Sequence, residues 1–310
     1  MMKALGISFG RKMHNSEIMV KQVLKQMEKR GFETNFIRVH DLDIKPCTGC
    51  TACVGSLLSG RNGACVLKDD FHILDEAILE ADAVVVCAPV YVIAPCGLFK
   101  DVCDRMGPSH DLAFRIAARQ IGEEKGLPEE QLVDKRAFKP RAAAILSIGG
   151  ARTKHWTSLG LPQLYEITMS SGMHVVDAYN GYAAMDYEHI VGNEEAMARL
   201  TKMGDNLADA LTTEGGLDKW YGDEEGICPV CHSDLLTILH DGNKVECPIC
   251  GIQGTLTMED GQFRASFTEE EKKRSRLHIG GKEEHHVEIR DSVLSMKKIP
   301  DLKERLEAYK

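Results

Sequence analysis

The chain has 310 residues, 43% apolar and 27% charged, ordinary proportions for a globular protein but more length than one compact core usually needs. Its net charge of −9 excludes a general nucleic-acid binder, which needs a cationic face for phosphates, and speaks against adsorption to anionic membranes. Eleven cysteines without a visible secretory signal point to metal or redox chemistry in a cytoplasmic protein rather than to disulfides.

Residues 3–8 read as a buried strand. An amphipathic helix follows, with Ile18, Met19, Val23, Leu24 and Met27 on one face, and Gly31 ends it. Thr34, Phe36, Ile37 and Val39 give a second strand. Asp69 or Asp70 is placed to cap a helix carrying Phe71, Leu74, Ala77 and Ile78. The run Ala83 to Cys87 predicts a strand buried on both faces, as in parallel sheets. Pro89 and Pro95 then enforce a loop, and a helix resumes near Leu98. The charged stretch 107–139 reads as a mostly helical insertion.

Residues 142–147 and 174–179 give two more strands, and Glu194 to Leu211 a closing helix. Strands alternating with helices predict an α/β fold: a flavodoxin-like, doubly wound, five-stranded parallel sheet over residues 1–213. A linker at 214–226 leads to a small cysteine-knuckle β-hairpin domain at 227–262. The tail, 263–310, is charged and partly helical. In it Thr268 and Glu271 match a capping box, and His285-His286 reads as solvated.

Ligands of an open parallel sheet bind beyond the carboxyl ends of its strands. The first loop there, residues 9–16, offers a glycine, a cation and polar donors at a helix start. Ser8, Arg11, His14, Asn15 and Ser16 are its candidates for holding one terminal phosphate. No Gly-x-Gly-x-x-Gly is present to cradle a pyrophosphate. Gly6-Ile7-Ser8-Phe9-Gly10 also fits the nucleophile elbow of hydrolases, although only one strand precedes Ser8.

The second loop runs from Cys87 to Arg105. Its Ala88-Pro89-Val90-Tyr91 and its helix ending Lys100-Asp101-Val102-Cys103-Asp104-Arg105 resemble motifs of the NADPH-dependent FMN reductases, and more narrowly of their iron-sulfur flavoproteins. Arg11, Asn15 and Ser16 match the end of that family's phosphate motif, where Phe9-Gly10 replaces its Gly-Ser-Pro. Ser147-Ile148-Gly149-Gly150 stands where the family has its glycine-rich flavin loop. The resemblance covers roughly residues 3–211. It implies FMN held by these three loops, with Pro89, Val90, Tyr91, Pro95, Cys96, Gly97, Ser147, Gly149 and Gly150 along the ring. His155, Trp156 and Tyr91 are candidates for the open face. Near-contact between flavin sites and subunit interfaces in the family implies a homo-oligomer.

Cys47, Cys50 and Cys53 lie at intervals of three, with Cys65 farther on, a pattern that suits a [4Fe-4S] cube wrapped by one loop. Structural zinc and free thiols remain alternatives. Cys228, Cys231, Cys247 and Cys250 form two Cys-Pro-x-Cys knuckles fifteen residues apart, the spacing of a zinc ribbon; rubredoxin-like iron uses the same ligands. One lysine against five acids in 227–262 disfavours nucleic acid. The expected activity is flavin-centred, with no catalytic side chain named. Electrons would pass from NAD(P)H or a ferredoxin-type donor, through FMN and the cluster, to a small acceptor such as a quinone. The alternative is a non-enzymatic electron carrier or redox sensor.

Overall fold

The computed structural model describes residues 1–310. Five strands, β1 (Lys3–Ser8), β2 (Glu33–Arg38), β3 (Ala83–Tyr91), β5 (Ala142–Ile148) and β6 (His174–Gly181), form one parallel sheet in the order β2-β1-β3-β5-β6. This is the flavodoxin-like order.

Side-chain alternation divides the core. Val84, Val86, Ala143 and Ile145 point to one face; Ala83, Val85, Cys87, Ala142, Ala144 and Leu146 point to the other. The second face is covered by α1 (Asn15–Lys29) and α7 (Glu194–Thr212), the first by α3 (Phe71–Glu80), α4 (Gly97–His110) and α6 (Gly160–Met169). In α1, Met19, Val20, Val23, Leu24 and Met27 are buried on one stripe. Five such side chains contribute on the order of 10 kcal/mol of gross stabilisation, most of it offset by ordering the chain. Gly31, with φ of +87°, takes the left-handed position that stops the helix.

The structure departs from the sequence reading at three places. The segment after Cys87 is not a loop: β3 runs on to Tyr91 and turns back as β4 (Ala94–Pro95), so the prolines sit in a hairpin at the sheet's end. The stretch 107–139, with α5 (Leu112–Glu124), is no surface appendage. Phe114, Ala118, Val133 and Ala137 build a small third core with Leu57 and Leu79. The C-terminal metal region carries the expected hairpin, β7 (Thr237–Ile238) with β8 (Lys244–Glu246), and β9 (Gln253–Glu259) and β10 (Gln262–Ser266) extend it to a four-stranded antiparallel sheet. In the tail, Thr268 caps α8 (Glu269–Lys273) as its spacing suggests. The longer α9 (Ile279–Ser295) lies on α5, with His286 edge-on to Phe114 at 4.5 Å, so that histidine is packed rather than solvated. A short α10 (Leu302–Glu307) ends the chain. No helix is long and apolar enough to cross a membrane.

Candidate functional site

Register decides where the loops meet. Ser8 lies opposite Cys87, Ala88 opposite Ser147, and Ser147 opposite Asn180, so β1, β3, β5 and β6 end level at one edge of the sheet. The three loops read from the sequence as flavin loops therefore converge there.

The first loop is pinned at its start. The Phe9 amide donates to the Cys87 carbonyl at 2.9 Å, and its ring meets Phe99 edge-on at 5.2 Å. Ser8 is fully buried and its hydroxyl accepts from the Gly10 amide at 3.2 Å, so it is no exposed nucleophile and the elbow reading fails. A Cβ on Gly10 would stand 2.6 Å from that of Ser16, so the loop passes too close to α1 for a side chain there. Arg11 and His14 are exposed, and no side chain caps the start of α1. Its first-turn amides and Arg11 make a donor set that fits one phosphate. Ser16 is buried, with its hydroxyl on the Cys87 thiol.

The second loop is the β3–β4 hairpin. Val92 and Ile93 at its tip have φ of +51° and +75°, values that type I′ turns need and that β-branched residues resist. Val92 is 93% exposed, so nothing packs against it to offset the strain. Val92→Gly is expected to raise stability by about 1 kcal/mol, read as a higher urea midpoint. Tyr91 is exposed beside it, whereas Cys96 is buried and directs its sulfur to the Phe9 carbonyl at 3.7 Å. Cys87 and Cys103 are likewise core residues, and burial pushes the Cys87 thiol up to about 12, which makes it inert.

The third loop has a partner absent from the sequence reading. Residues 183–185 pair along Gly149–Ala151 (Ala184 amide to Gly149 carbonyl, 3.2 Å), and Met185 lies over Gly150. The same segment reaches the first loop: His189 Nε2 bonds the Met13 carbonyl at 3.0 Å, and the Ile190 amide donates to Asn15 Oδ1 at 3.0 Å. Asn15 thus ties the segment down through its oxygen and keeps its amide hydrogens free. No periodicity marks residues 182–191; their two tyrosines were the only hint. Trp156 is 60% exposed, with the His155 ring 5.4 Å away, on the rim beyond Gly149. Ser147 is buried and donates to Asn180 at 2.6 Å.

The two cysteine groups differ. Cys228, Cys231, Cys247 and Cys250 are buried, and their sulfurs all lie within 4.8 Å of one another, with pairs at 3.4 Å. A tetrahedron with metal–sulfur bonds near 2.3 Å spaces its sulfurs about 3.8 Å apart, so the four fit one ion. Cys47 and Cys50 are exposed, Cys53 and Cys65 half-buried on a loop carrying α2 (Ala52–Leu58). Cys53 neighbours both Cys47 and Cys65, but the four do not draw together as the ribbon thiols do.

A buried ion pair closes this loop. Arg105 and Asp69 have side chains 1% exposed; Arg105 donates to both Asp69 oxygens and to the Lys45 carbonyl, while Asp69 accepts from the Lys45 amide. The Arg105 guanidinium holds the Asp69 carboxyl down at about 2. Behind the loop lies a cavity of about 930 Å³ lined by Cys65, Asp75, Arg105, His110 and Arg115. It sits away from the strand ends. Its Ser109–His110–Asp75 chain is a packing network, because Ser109 hydrogen-bonds the Arg105 carbonyl and His110 is buried within the protein.

Comparison with known proteins agrees with this geometry. A family model described as NADPH-dependent FMN reductase matches residues 2–187. An iron-sulfur flavoprotein of Methanosarcina thermophila is 35% identical over 211 residues, 68% of this chain and 95% of that protein. A flavone synthase of Aspergillus candidus is 28% identical over 98% of this chain and 95% of its own length. A solved structure described as a flavone reductase superposes with a TM-score of 0.82 at 27% identity, over 99% of this chain and 96% of that one.

Proposed function

The chain belongs to the NADPH-dependent FMN reductase family, and from that premise we propose an oxidoreductase that carries electrons from NAD(P)H through bound FMN to a flat conjugated carbonyl compound of the flavone or quinone type. The observation that carries the proposal is the convergence of three loops at one edge of the sheet, with the uncapped start of α1 in the first and exposed aromatic side chains, Tyr91 and Trp156, beside the other two. Bound flavin would supply hydride exchange between nicotinamide and acceptor. The chain's part is binding and orientation. Arg11, the α1 amides and the Asn15 amide hold the phosphate; the hairpin from Pro89 to Gly97 and the Gly149-Gly150 turn flank the ring. Tyr91 and Trp156 give an acceptor ring surfaces on which to stack. A flavone-type acceptor is favoured because a relative and a solved structure that match nearly the whole chain, ribbon and tail included, are named for flavones.

The test begins with flavin binding. Arg11→Ala is expected to weaken FMN roughly tenfold, the loss of one charge-assisted contact, and to leave riboflavin binding unchanged. Oxidation of NADH or NADPH is then followed with a flavone and a quinone as acceptors. Folded protein that takes up no FMN would end the proposal.

For the first cysteine group we read a [4Fe-4S] cluster, and for the ribbon structural zinc, with rubredoxin-like iron as its alternative. The exposure of Cys47 and Cys50 favours a second reading, in which a surface cluster exchanges single electrons with a ferredoxin-type partner. Iron, sulfide and zinc analysis of anaerobically purified protein separates these assignments. The exposed rim of Tyr91, Trp156 and Met185 suits burial in a homo-oligomer, which sedimentation would detect.

A further inference from the structure

The cysteine ribbon is not an appended module. Its four cysteines and Ile252 belong to the same buried cluster as Phe9, Phe99 and Val86 of the main domain, and the link between them is α6. On the ribbon side, the buried Tyr165 donates its hydroxyl to the Cys231 carbonyl at 2.5 Å, and Leu164 and Ile167 pack in the same cluster. The tail grips the end of the helix: the buried Lys282 ammonium donates to the Met169 carbonyl and, at 2.8 Å, to that of Arg276, whose own amide donates to the Cys250 carbonyl at 2.9 Å.

The other end of α6 touches the flavin loops. The Leu159 amide donates to the Ile93 carbonyl at 3.2 Å. A Cβ on Gly160 would meet Val90 at 2.5 Å and Ser147 at 3.3 Å, and one on Gly149 would meet Thr157 at 2.3 Å. The helix start is therefore wedged between the second and third loops with no slack. From Gly160 to Tyr165 is about 8 Å along a rigid helix.

We propose that the metal-filled ribbon positions the flavin crevice through α6, with Tyr165 as the positioning residue, so that metal occupancy and FMN affinity are thermodynamically linked. As thiolates, four sulfurs this close repel one another unless a cation holds them. Without it the Cys231 carbonyl shifts, Tyr165 loses its acceptor, and α6 is free to tilt against Val90 and Gly149. Linkage is reciprocal: whatever factor the metal adds to FMN affinity, FMN adds to metal retention.

The inference rests on the FMN assignment, and the experiment separates the two. FMN and riboflavin binding are measured by flavin fluorescence on full-length protein, metal-loaded and after stripping with a chelator, alongside circular dichroism. In parallel, the zinc release rate is followed with a chromogenic chelator, with and without saturating FMN. Stripping is expected to weaken both flavins about tenfold, because the ring loops rather than the phosphate loop are disturbed, and FMN is expected to slow zinc release. Tyr165→Phe keeps all four thiols and serves if stripped protein unfolds. It should retain zinc, bind both flavins several-fold more weakly, and show a smaller effect of FMN on zinc release. Equal affinities in stripped and loaded folded protein, or a Tyr165→Phe variant that binds FMN and releases zinc like the parent, would overturn the linkage. Metal-loaded protein that binds no FMN would instead overturn the assignment beneath it.

Discussion

Cys247→Ser is expected to lower the melting temperature of the whole chain by roughly 10 °C, not merely to loosen its C-terminal third. Metal binding to a four-cysteine site contributes on the order of 10 kcal/mol to the fold around it, because no preformed site exists in the unfolded chain. In a tethered ribbon that loss would stay local. Here Cys247 is buried in the cluster that also holds Leu74, Phe99 and Leu164, so an unfilled ribbon exposes one side of α6 and of the main core. Calorimetry should show one transition moved down. A parent-like main transition with a separate early one would show that the ribbon folds independently.

The second large effect is expected at the Arg105–Asp69 pair. Asp69→Asn leaves a buried guanidinium without its counter-charge, a change that typically costs about 3–5 kcal/mol. The acid dependence carries a sign. The Asp69 carboxyl sits at about 2 in the folded protein, below its ordinary value near 3.8, so the ionised form stabilises the fold. That contribution, on the order of 2 kcal/mol, is present above about pH 4 and is lost as the pH falls from about 4 to about 2. Urea unfolding across that range should show a drop in the parent that Asp69→Asn lacks. The pair also ties Lys45 to Asp69 across the cysteine loop. In cluster-free protein, alkylation of Cys53 and Cys65 should therefore quicken in the variant at neutral pH; unchanged rates would mean the loop holds its shape without the clamp.

The sheet was legible because its residues state their own periodicity. Short β-branched apolar runs such as Ala83 to Cys87 favour a strand buried on both faces, and Thr268 with Glu271 sets a helix start through contacts three residues apart. The knuckles at Cys228 and Cys247 were as plain, since ligand spacing is written along the chain. Elements stabilised from a distance were not. The helix at Gly160–Met169 opens with glycine, leucine and proline and carries a weak apolar pattern; it holds because Tyr165 and Leu164 find the ribbon. The segment 182–191 has no pattern at all and owes its path to Asn15, Met13 and Gly149.

By itself, then, the chain's order of residues marked the strands and helices of the sheet and the two groups of four cysteines, because periodicity and ligand spacing are written along the chain, while the flavin loops were read through their resemblance to a family. Tertiary structure alone decided which side chains face the crevice. Ser16, Cys96 and Ser147 turn inward to Cys87, Phe9 and Asn180, because a buried hydroxyl or thiol takes the nearest partner that packing brings to it. It also decided that the ribbon and the crevice share a core. No local rule encodes that contact, since the helix that joins them is stable only once both of its ends are packed.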